Sequence, residues 1–470
     1  MGAPVGDLAN LLAAGSVSTA PEDLLERSQD LWTLSLLRQA RGDLREPPAA
    51  VVFPGCTQDV ATVLAWAEQT GTPVVPRGGG SGVCGGVDAG RGWLVLDLSR
   101  MDRILALDEE SQVVHVQAGV RGARLEEYLS EHELTLGHYP QSIALSTVGG
   151  WIGTASVGQA STGYGGIADR VLGVTAVLSG GRVLHLRPTP RSAAGPDLRR
   201  LLVGSEGTFA VVTEVHLACT ARPPGFEWES FQFRSFDRCI AGLRAVSRAG
   251  AGMAVLRGYD ETDSSLTFPG SGYPGGCLAI AGFAADLVGL EVRREAVRER
   301  ASAAGGVYLG PDHGAHWWQH RNDSAGLYRQ IMGPERVLGQ GVVVDSMEVA
   351  GLWSGLPDLY GAVRGAITAH ADTVACHVSH VYGSGASLYF TLLLRGADDH
   401  DVESTYVDAW QAAVRGCLAA GGTMTHHHGV GRLKARFMAE ELGEEGLATL
   451  RRLQWAMDPH RVLNPGALVP

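Results

Sequence analysis

Three consecutive histidines, His426, His427 and His428, stand inside Thr425-His426-His427-His428-Gly429-Val430-Gly431-Arg432-Leu433-Lys434. An imidazole titrates near neutral pH, so it can take or give a proton where most side chains cannot. It is also a metal ligand, but on a strand only alternate side chains share a face. No third or fourth ligand is evident, so no metal is expected. A further reading leaves these histidines as core or surface residues without a role. Proton transfer is the reading preferred here.

Upstream, Tyr389 lies in Ser384-Gly385-Ala386-Ser387-Leu388-Tyr389-Phe390. Taken alone, a tyrosine in such an apolar β pattern is more often a core residue. With an ordinary pKa of ~10 it is a poor base at pH 7, and needs imidazoles or positive charge beside it. Nothing in the local sequence sets Arg257 or Arg329 apart from the other arginines. A guanidinium suits phosphate because its fork donates two hydrogen bonds to one group. Read alone, each is an ordinary surface arginine.

The third chemical feature is Arg77-Gly78-Gly79-Gly80-Ser81-Gly82-Val83-Cys84-Gly85-Gly86. Residues 80–85 form a literal G-x-G-x-x-G, yet the dinucleotide fingerprint requires a helix to follow, and turn formers and then a strand follow here. Successive backbone N–H groups in glycine-permitted conformations can instead form a concave anion nest, with no helix needed. Two more glycine-rich zones, 147–166 and 204–207, also adjoin apolar strands.

The elements that must position these groups read as follows. Val60, Val63, Leu64 and Ala67 mark one face of a helix, and strands are expected at 73–76, 93–98 and 113–118, with a helix at 122–130. Residues 171–178 and 183–186 read as a hairpin about Ser179-Gly180-Gly181. Arg222-Pro223-Pro224-Gly225 marks a domain boundary. Beyond it strands at 231–236, 278–283, 342–349, 374–380 and 387–395 alternate with helices at 238–248, 290–304, 356–369 and 402–420, and a last helix covers 445–456. The expected class is α+β: an N-terminal domain over 1–222, a cap domain with an open antiparallel sheet flanked by helices over 223–440, and a segment over 441–470 that packs back on the first domain.

Composition narrows the partners. The chain has 470 residues, of which 64 are glycine, and carries a net charge of -12. A grip on nucleic-acid phosphates calls for the opposite sign, so no nucleic-acid partner is expected. Seven evenly spread cysteines without C-x-x-C argue against a disulfide framework. No cationic stretch precedes the apolar patch at 11–14, and no apolar run approaches the ~18 residues of a membrane span. The expectation is a cytoplasmic enzyme.

Pro73-Val74-Val75-Pro76-Arg77-Gly78-Gly79-Gly80-Ser81-Gly82, preceded by Val51-Val52-Phe53-Pro54-Gly55-Cys56-Thr57-Gln58-Asp59-Val60, resembles the flavin domain of the vanillyl-alcohol oxidase/p-cresol methylhydroxylase family. The resemblance continues through Gly204-Ser205-Glu206-Gly207-Thr208 to Asn464-Pro465-Gly466, and spans the chain from about Pro48 to Pro470. It implies FAD, with the pyrophosphate held by Pro76, Arg77, Gly78, Gly79, Gly80, Ser81 and Gly82. Further FAD contacts are implied at Gln141, Ser142, Thr147, Gly150, Thr154, Ser156 and Val157, and at Glu206, Gly207, Thr208 and Val212. Covalent members carry a histidine directly after the triple glycine. Ser81 stands there in this chain, which implies a non-covalent flavin.

Within that family the His-His-His-Gly-Val-Gly run, Tyr389, Gly137-His138-Tyr139-Pro140-Gln141-Ser142 and Ser146-Thr147-Val148-Gly149-Gly150-Trp151 look like the alkyldihydroxyacetonephosphate synthase branch. Hydroxyacid dehydrogenase relatives have Glu-His-Gly where His427-His428-Gly429 stands. The resemblance implies removal of a proton beside a carbonyl and exchange of the acyl group by way of an adduct at flavin N5. It gives Tyr389 the acid/base role, has His426, His427 and His428 organise the carbonyl end, makes Arg257 necessary for activity and sets Arg329 on the substrate phosphate. The chain departs from the animal synthases in having Ala155 where they carry an arginine. The alternative is an FAD-dependent oxidase or dehydrogenase that takes hydride from an alcohol, hydroxyacid or amine. Either way the partner is a small molecule, phosphorylated or otherwise anionic. A peripheral membrane contact follows only if that substrate is a lipid, and a homodimer is expected by analogy alone.

Overall fold

The computed structural model describes residues 5–43, 46–269, 272–323, 328, 330–333 and 335–470. Two compact units divide the chain. The first comprises Met1–Val157, Gly166–Ala221 and His427–Pro470, and the second Gly158–Gly165 and Arg222–His426.

The first unit contains two larger sheets. In one, β1 (Val17–Ser18), β2 (Ala50–Val52), β3 (Val74–Arg77) and β4 (Leu94–Asp97) lie in the order β1-β2-β4-β3, and β4 is parallel to both β2 and β3. The connection from β2 to β3 runs through helix α1 (Thr57–Thr70), whose Val60, Val63, Leu64 and Ala67 are all buried, as the 3.6-residue period predicts. Gly71, at φ 66, closes that helix in the left-handed conformation that glycine adopts without strain. The second sheet is antiparallel: β5 (Ile104–Asp108), β6 (Val113–Gln117), β7 (Val171–Val177), β8 (Val183–Leu186) and β9 (Val211–Ala218) run in the order β5-β6-β9-β7-β8. The expected hairpin is the β7–β8 pair. Helices α2 (Gly122–Glu131) and α3 (Val148–Thr154) complete this part.

The chain's end belongs to this unit. Val74 donates to the carbonyl of Val462, and Asn464 donates to that of Val74, which continues the β3 edge.

The second unit is built on one seven-stranded antiparallel sheet. Its strands are β10 (Phe226–Phe233), β11 (Val255–Tyr259), β12 (Cys277–Ala284), β13 (Val307–Gly310), β14 (Val342–Leu352), β15 (Thr373–Val381) and β16 (Gly385–Arg395), in the order β13-β10-β12-β11-β15-β16-β14. The sheet is open, and helices α4 (Phe236–Ser247), α5 (Glu261–Thr267), α6 (Leu290–Ala303), α7 (Asp312–His320), α8 (Leu356–Thr368) and α9 (Asp399–Ala419) flank it. The class is therefore α+β with an open antiparallel sheet.

Strand side chains alternate between faces, and register shows what each face is for. One row across the sheet, Gly258, Val378, Leu388 and Val349, is apolar. A Cβ on Gly258 would meet Leu243 and Cys239 of α4 at 2.7 and 2.8 Å, so this face is sealed by helix. The adjacent row, one residue along, is Tyr259, His377, Tyr389 and Glu348. The sheet thus carries a polar face.

Several sequence expectations change in detail. Phe236 is helical rather than the end of a strand, because Ser235 caps α4 by accepting from the Arg238 N–H. The C-terminal helix runs Met438–Met457 and breaks at Gly443, which takes φ 72. Helices α5 and α7 were not expected at all. The return to the first unit falls at His427 rather than after 440, because Glu206 grips the backbone of Val430 and Gly431. Residues 158–165 join the second unit, where the Gly163 N–H donates to Ala254.

One buried ionic group braces the first unit. Asp97 is fully buried and accepts from Arg27 at 3.1 Å, Arg77 at 2.9 Å and the Ser99 N–H at 2.9 Å. Asp97→Asn leaves the buried Arg77 guanidinium without its counter-charge, a class of change that costs ~3–5 kcal/mol. A clear fall in the urea midpoint is expected, and an unchanged midpoint would show that the group does not brace the fold.

Candidate functional sites of the two units

In the first unit, backbone lies against backbone where the sequence expects FAD. A Cβ on Gly78 would stand 2.2 Å from Thr147 Oγ1, and one on Gly79 would stand 1.9 Å from the Leu145 carbonyl oxygen. A Cβ on Gly207 would stand 2.8 Å from Pro76 Cγ. Glu206 donates its backbone N–H to Gly153 and Gly204 donates to Ile152. The first loop, 76–82, thus lies against the expected stretches 141–147 and 206–212, and Gly204 and Glu206 are bonded to residues 152–153, just before the expected stretch 154–157.

Individual placements follow from these contacts. Thr147 caps α3 by accepting from the Gly150 N–H at 3.4 Å, and Thr154 ends that helix with its hydroxyl on the Gly150 carbonyl. Gln141 and Ser142 open the turn at 141–145, where the Ser142 carbonyl accepts from Leu145 and Ser146. Val157 pairs with Gly166, and Thr208 donates to the Ser205 carbonyl. Val212 sits opposite Ala176 in the second sheet. Arg77 is committed to Asp97 and the Gly78 carbonyl, and the left-handed Gly80 lies over its guanidinium, where a Cβ would be 2.4 Å from Nη2.

The loop fits a pyrophosphate. Among the described residues, the N–H groups of Gly79, Gly80, Ser81 and Gly82 donate to no protein acceptor, and a run of such donors is the donor set an anion needs. Aspartate 30, which sequence reading missed, braces the loop from outside. Asp30 Oδ1 accepts from the Trp32 N–H at 3.0 Å and Oδ2 from the Val87 N–H at 3.2 Å. The Leu31 N–H also donates to the Gly82 carbonyl at 2.8 Å. Nothing in the local pattern around residues 28–32 signals this role.

Glu206 takes φ 51, and its carboxylate accepts from the N–H groups of Val430 at 2.6 Å and Gly431 at 2.8 Å. Burial raises this carboxyl above its ordinary value, opposed by those two hydrogen bonds and by the charges of Lys434 and Arg432. The side chain thus serves the turn after the histidines. His138 was quoted within a motif and not selected. Its Nε2 lies 2.9 Å from Ser156 Oγ, its ring edge meets Trp151 at 4.7 Å, and its Nδ1 is buried without a partner. Burial, helped by the Arg170 charge, drops its pKa to about 3, so it stays neutral.

The histidine run is not a strand, and divides between the units. His427 and His428, with ring centroids 4.6 Å apart at 73°, belong to the first unit. His426 belongs to the second. There Glu348, fully buried, accepts from Thr425 Oγ1 at 2.8 Å and the His426 N–H at 2.6 Å. His426 Nε2 lies 2.8 Å from the Tyr382 hydroxyl, and its ring stacks on His380 at 5.0 Å. Burial lowers the His426 pKa, with Glu348 opposing.

On the polar sheet face, the Tyr389 hydroxyl donates to Ser346 Oγ at 2.8 Å. Burial pushes its pKa up to about 12, so it keeps its proton at pH 7 and acts as a donor unless substrate changes its surroundings. Arg257 donates Nε to the Tyr259 hydroxyl at 2.9 Å and Nη1 to the Ser379 carbonyl, and lies 4.8 Å from the Trp317 ring centroid. The structure thus brings Tyr389, Arg257 and His426 into one unit. Arg329 lies outside the described residues.

Comparison with known proteins adds the following. A family model for an FAD-binding domain matches residues 48–187, and one for the C-terminal domain of FAD-linked oxidases matches residues 223–468. The chain is 30% identical over 480 residues to the alkyldihydroxyacetonephosphate synthase of Trypanosoma brucei brucei, covering 94% of this chain and 76% of that protein. It is 30% identical over 436 residues to the uncharacterized FAD-linked oxidoreductase YgcU of Escherichia coli (strain K12), covering 90% and 89%. A solved structure of an alkyldihydroxyacetonephosphate synthase superposes with a TM-score of 0.80 at 22% identity, covering 98% of this chain and 84% of that one.

Two outcomes test this site. Gly79→Ala forces the loop off Leu145, and purified protein should retain at least ~10-fold less flavin per chain, a loss of about 1.4 kcal/mol in binding. Equal flavin content would remove the loop from the cofactor site. Burial raises the Asp30 pKa from 3.8 to about 7 in the folded chain, against the bonds from Val87 and Trp32. The folded chain therefore binds this proton more tightly than the unfolded one, and the Asp30 contribution falls as pH rises through that window. The stability of Asp30→Asn relative to the unsubstituted chain should climb between pH 4 and 7, and a difference that stays flat would contradict the assignment.

Proposed function

The chain belongs to the FAD-linked oxidases with the p-cresol methylhydroxylase type of FAD-binding fold, and from that premise we propose that it is a flavoenzyme that removes a proton beside a substrate carbonyl and exchanges the acyl group there for an alkyl group, the acyl chain leaving as a carboxylate and the alkyl chain entering as an alcohol. FAD, the cofactor of this family, supplies an electrophilic centre that can hold or accept electrons from the substrate carbon. We also propose that it is bound without a covalent link, because Ser81 offers no nucleophile of the histidine kind.

The observation that supports the exchange reading is the link through Glu348. Tyr389 and the histidine run are far apart in sequence, yet Glu348 is the cross-strand partner of Tyr389 and accepts from the backbone of His426. Arg257, on the same sheet, adds a fixed positive charge that favours a developing enolate. Tyr389 holds a proton ready to donate to the carbonyl oxygen as the adjacent C–H bond breaks. His426 is kept neutral by burial and can accept a hydrogen bond. Polar groups already held in place on the sheet's polar face need little reorganisation when charge develops.

A second reading, hydride removal from an alcohol or hydroxyacid, is favoured by the similarity to an FAD-linked oxidoreductase over 90% of this chain. It needs the same protein groups for a different bond.

The two readings separate under anaerobic conditions. With hexadecanoyl-dihydroxyacetone phosphate and labelled hexadecanol, incorporation of label with no lasting bleaching of the flavin is expected, and Tyr389→Phe should slow it by ~10²–10⁴-fold. Bleaching of the flavin by D-lactate, reversed by air and without alkyl exchange, would overturn the exchange reading. The non-covalent link predicts that acid-precipitated protein is colourless and its supernatant yellow.

A further inference from the structure

The Tyr389 hydroxyl donates to Ser346, and a reaction that begins by removing a substrate proton also needs a group to receive it. On the same polar row stands His377, opposite Tyr389 on β16 and opposite Tyr259 on β11. Its Nδ1 lies 2.7 Å from Asp263 Oδ2 on α5, and both side chains are largely buried, with 14% and 9% exposure. Its ring stacks on Tyr389 at 4.9 Å and 17°, and meets Tyr259 at 5.3 Å. Asp263 is itself fixed: its N–H donates to Asp260 Oδ1, and its Oδ1 accepts from Thr267.

A carboxylate that accepts from Nδ1–H fixes the tautomer, and so leaves Nε2 with a lone pair. Among the described residues that nitrogen makes no hydrogen bond, and it is not sealed off as an orphan. The arrangement has the parts of a general base: an imidazole, an orienting carboxylate and an unused acceptor.

We propose that His377, oriented by Asp263, receives the proton that the substrate loses, while Tyr389 acts as the hydrogen-bond donor beside it. The inference rests on the reading that the enzyme begins by removing a substrate proton. In balance, the bond from substrate carbon (or hydroxyl oxygen) to hydrogen breaks, its electron pair stays with the substrate, and an Nε2–H bond forms. The imidazolium that results is stabilised by the Asp263 carboxylate, and the proton returns to product or solvent.

The charged and titratable groups facing His377 are Asp263 and Asp260 near the start of α5, Arg257 and Tyr259 on β11, and Tyr389 on β16. Burial lowers the His377 pKa, Arg257 lowers it further, and Asp263 and Asp260 raise it. Burial would raise the Asp263 pKa, yet His377 and the Thr267 bond hold it below its ordinary value. The pair is thus a carboxylate beside a neutral imidazole at neutral pH. Removing Asp263 takes away the carboxylate that raises the His377 pKa, so the acid limb of a pH profile should move to lower pH.

The test has a readout that needs no substrate. Long-range ¹H–¹⁵N NMR of the FAD-loaded protein, with His377→Gln used for assignment, should show the His377 proton on Nδ1 at pH 7. A proton on Nε2, or a cationic ring, overturns the proposal whatever the enzyme's reaction. In turnover with whichever of the two probes above reacts, His377→Gln should lose ~10²–10⁴-fold in kcat with KM little changed. Asp263→Asn should shift the acid limb of kcat/KM downward, and retention of full kcat and of the limb in both variants also overturns it. If neither probe reacts with the unsubstituted enzyme, the functional reading fails. The NMR tautomer then decides the role of His377 alone.

Discussion

In the flavin-binding unit, a carbonyl oxygen of Leu145 occupies the space where any side chain at Gly79 would begin. The same condition recurs at Gly431, where a Cβ would stand 2.0 Å from the Cys84 carbonyl oxygen, and at Gly119, 2.0 Å from that of Leu98. Main chain packs on main chain with no side chain between, which is how a long, flat cofactor can be met by N–H groups rather than by flexible arms. The cost is that each loop has little side-chain packing of its own. Glu206 offsets part of it: a non-glycine residue held at φ 51, its carboxylate ties down residues 430 and 431, and Asn464 reaches the Glu206 and Gly86 carbonyls from the other side. The chain's last residues therefore help to hold loops formed hundreds of residues earlier.

The second unit solves a different problem. A sheet buried on one face by α4 offers its other face for chemistry only if the polar groups on it satisfy one another. They do so in pairs: Tyr389 with Ser346, Ser379 with Ser387, Arg257 with Tyr259, His377 with Asp263. Such pairing fixes rotamers before a substrate arrives. Burial, against the pull of the Ser346 and Asp263 partners, keeps Tyr389 protonated and His377 neutral.

What the sequence made legible follows from the range of the interactions involved. Helix α1 declared itself through four apolar positions on one face, and the β7–β8 hairpin through its glycine turn, both local signals. The glycine loop was legible because its chemistry is in its own backbone, and FAD followed from motifs spread along the chain. Asp30, Asp263, His377 and Glu348 were not. Each is an ordinary polar residue whose partner lies on another element, so only register and packing bring the role into view. The histidine run misled on conformation for the same reason. Three histidines in a row suggest alternation on a strand, whereas two carboxylates, the buried Glu348 at residues 425–426 and the half-buried Glu206 at residues 430–431, hold the run in an irregular path.

Net charge misled less than it first suggests. A net charge of -12 disfavours an anionic pyrophosphate at long range, and the arginine in the loop looks like the remedy. Yet Arg77 is turned away to Asp97, which also takes Arg27. Arg27 also meets Glu26 at 3.5 Å, so two cations face two carboxylates and the group brings no surplus charge to the loop. The surface charge acts across solvent and is attenuated within a Debye length. Local donors therefore outweigh the global field. The arginine works by shaping the backbone that would meet the phosphate, since the left-handed Gly80 is folded over its guanidinium. A lysine there would keep the charge and lose that flat surface, so the residue type matters here for its shape more than for its charge.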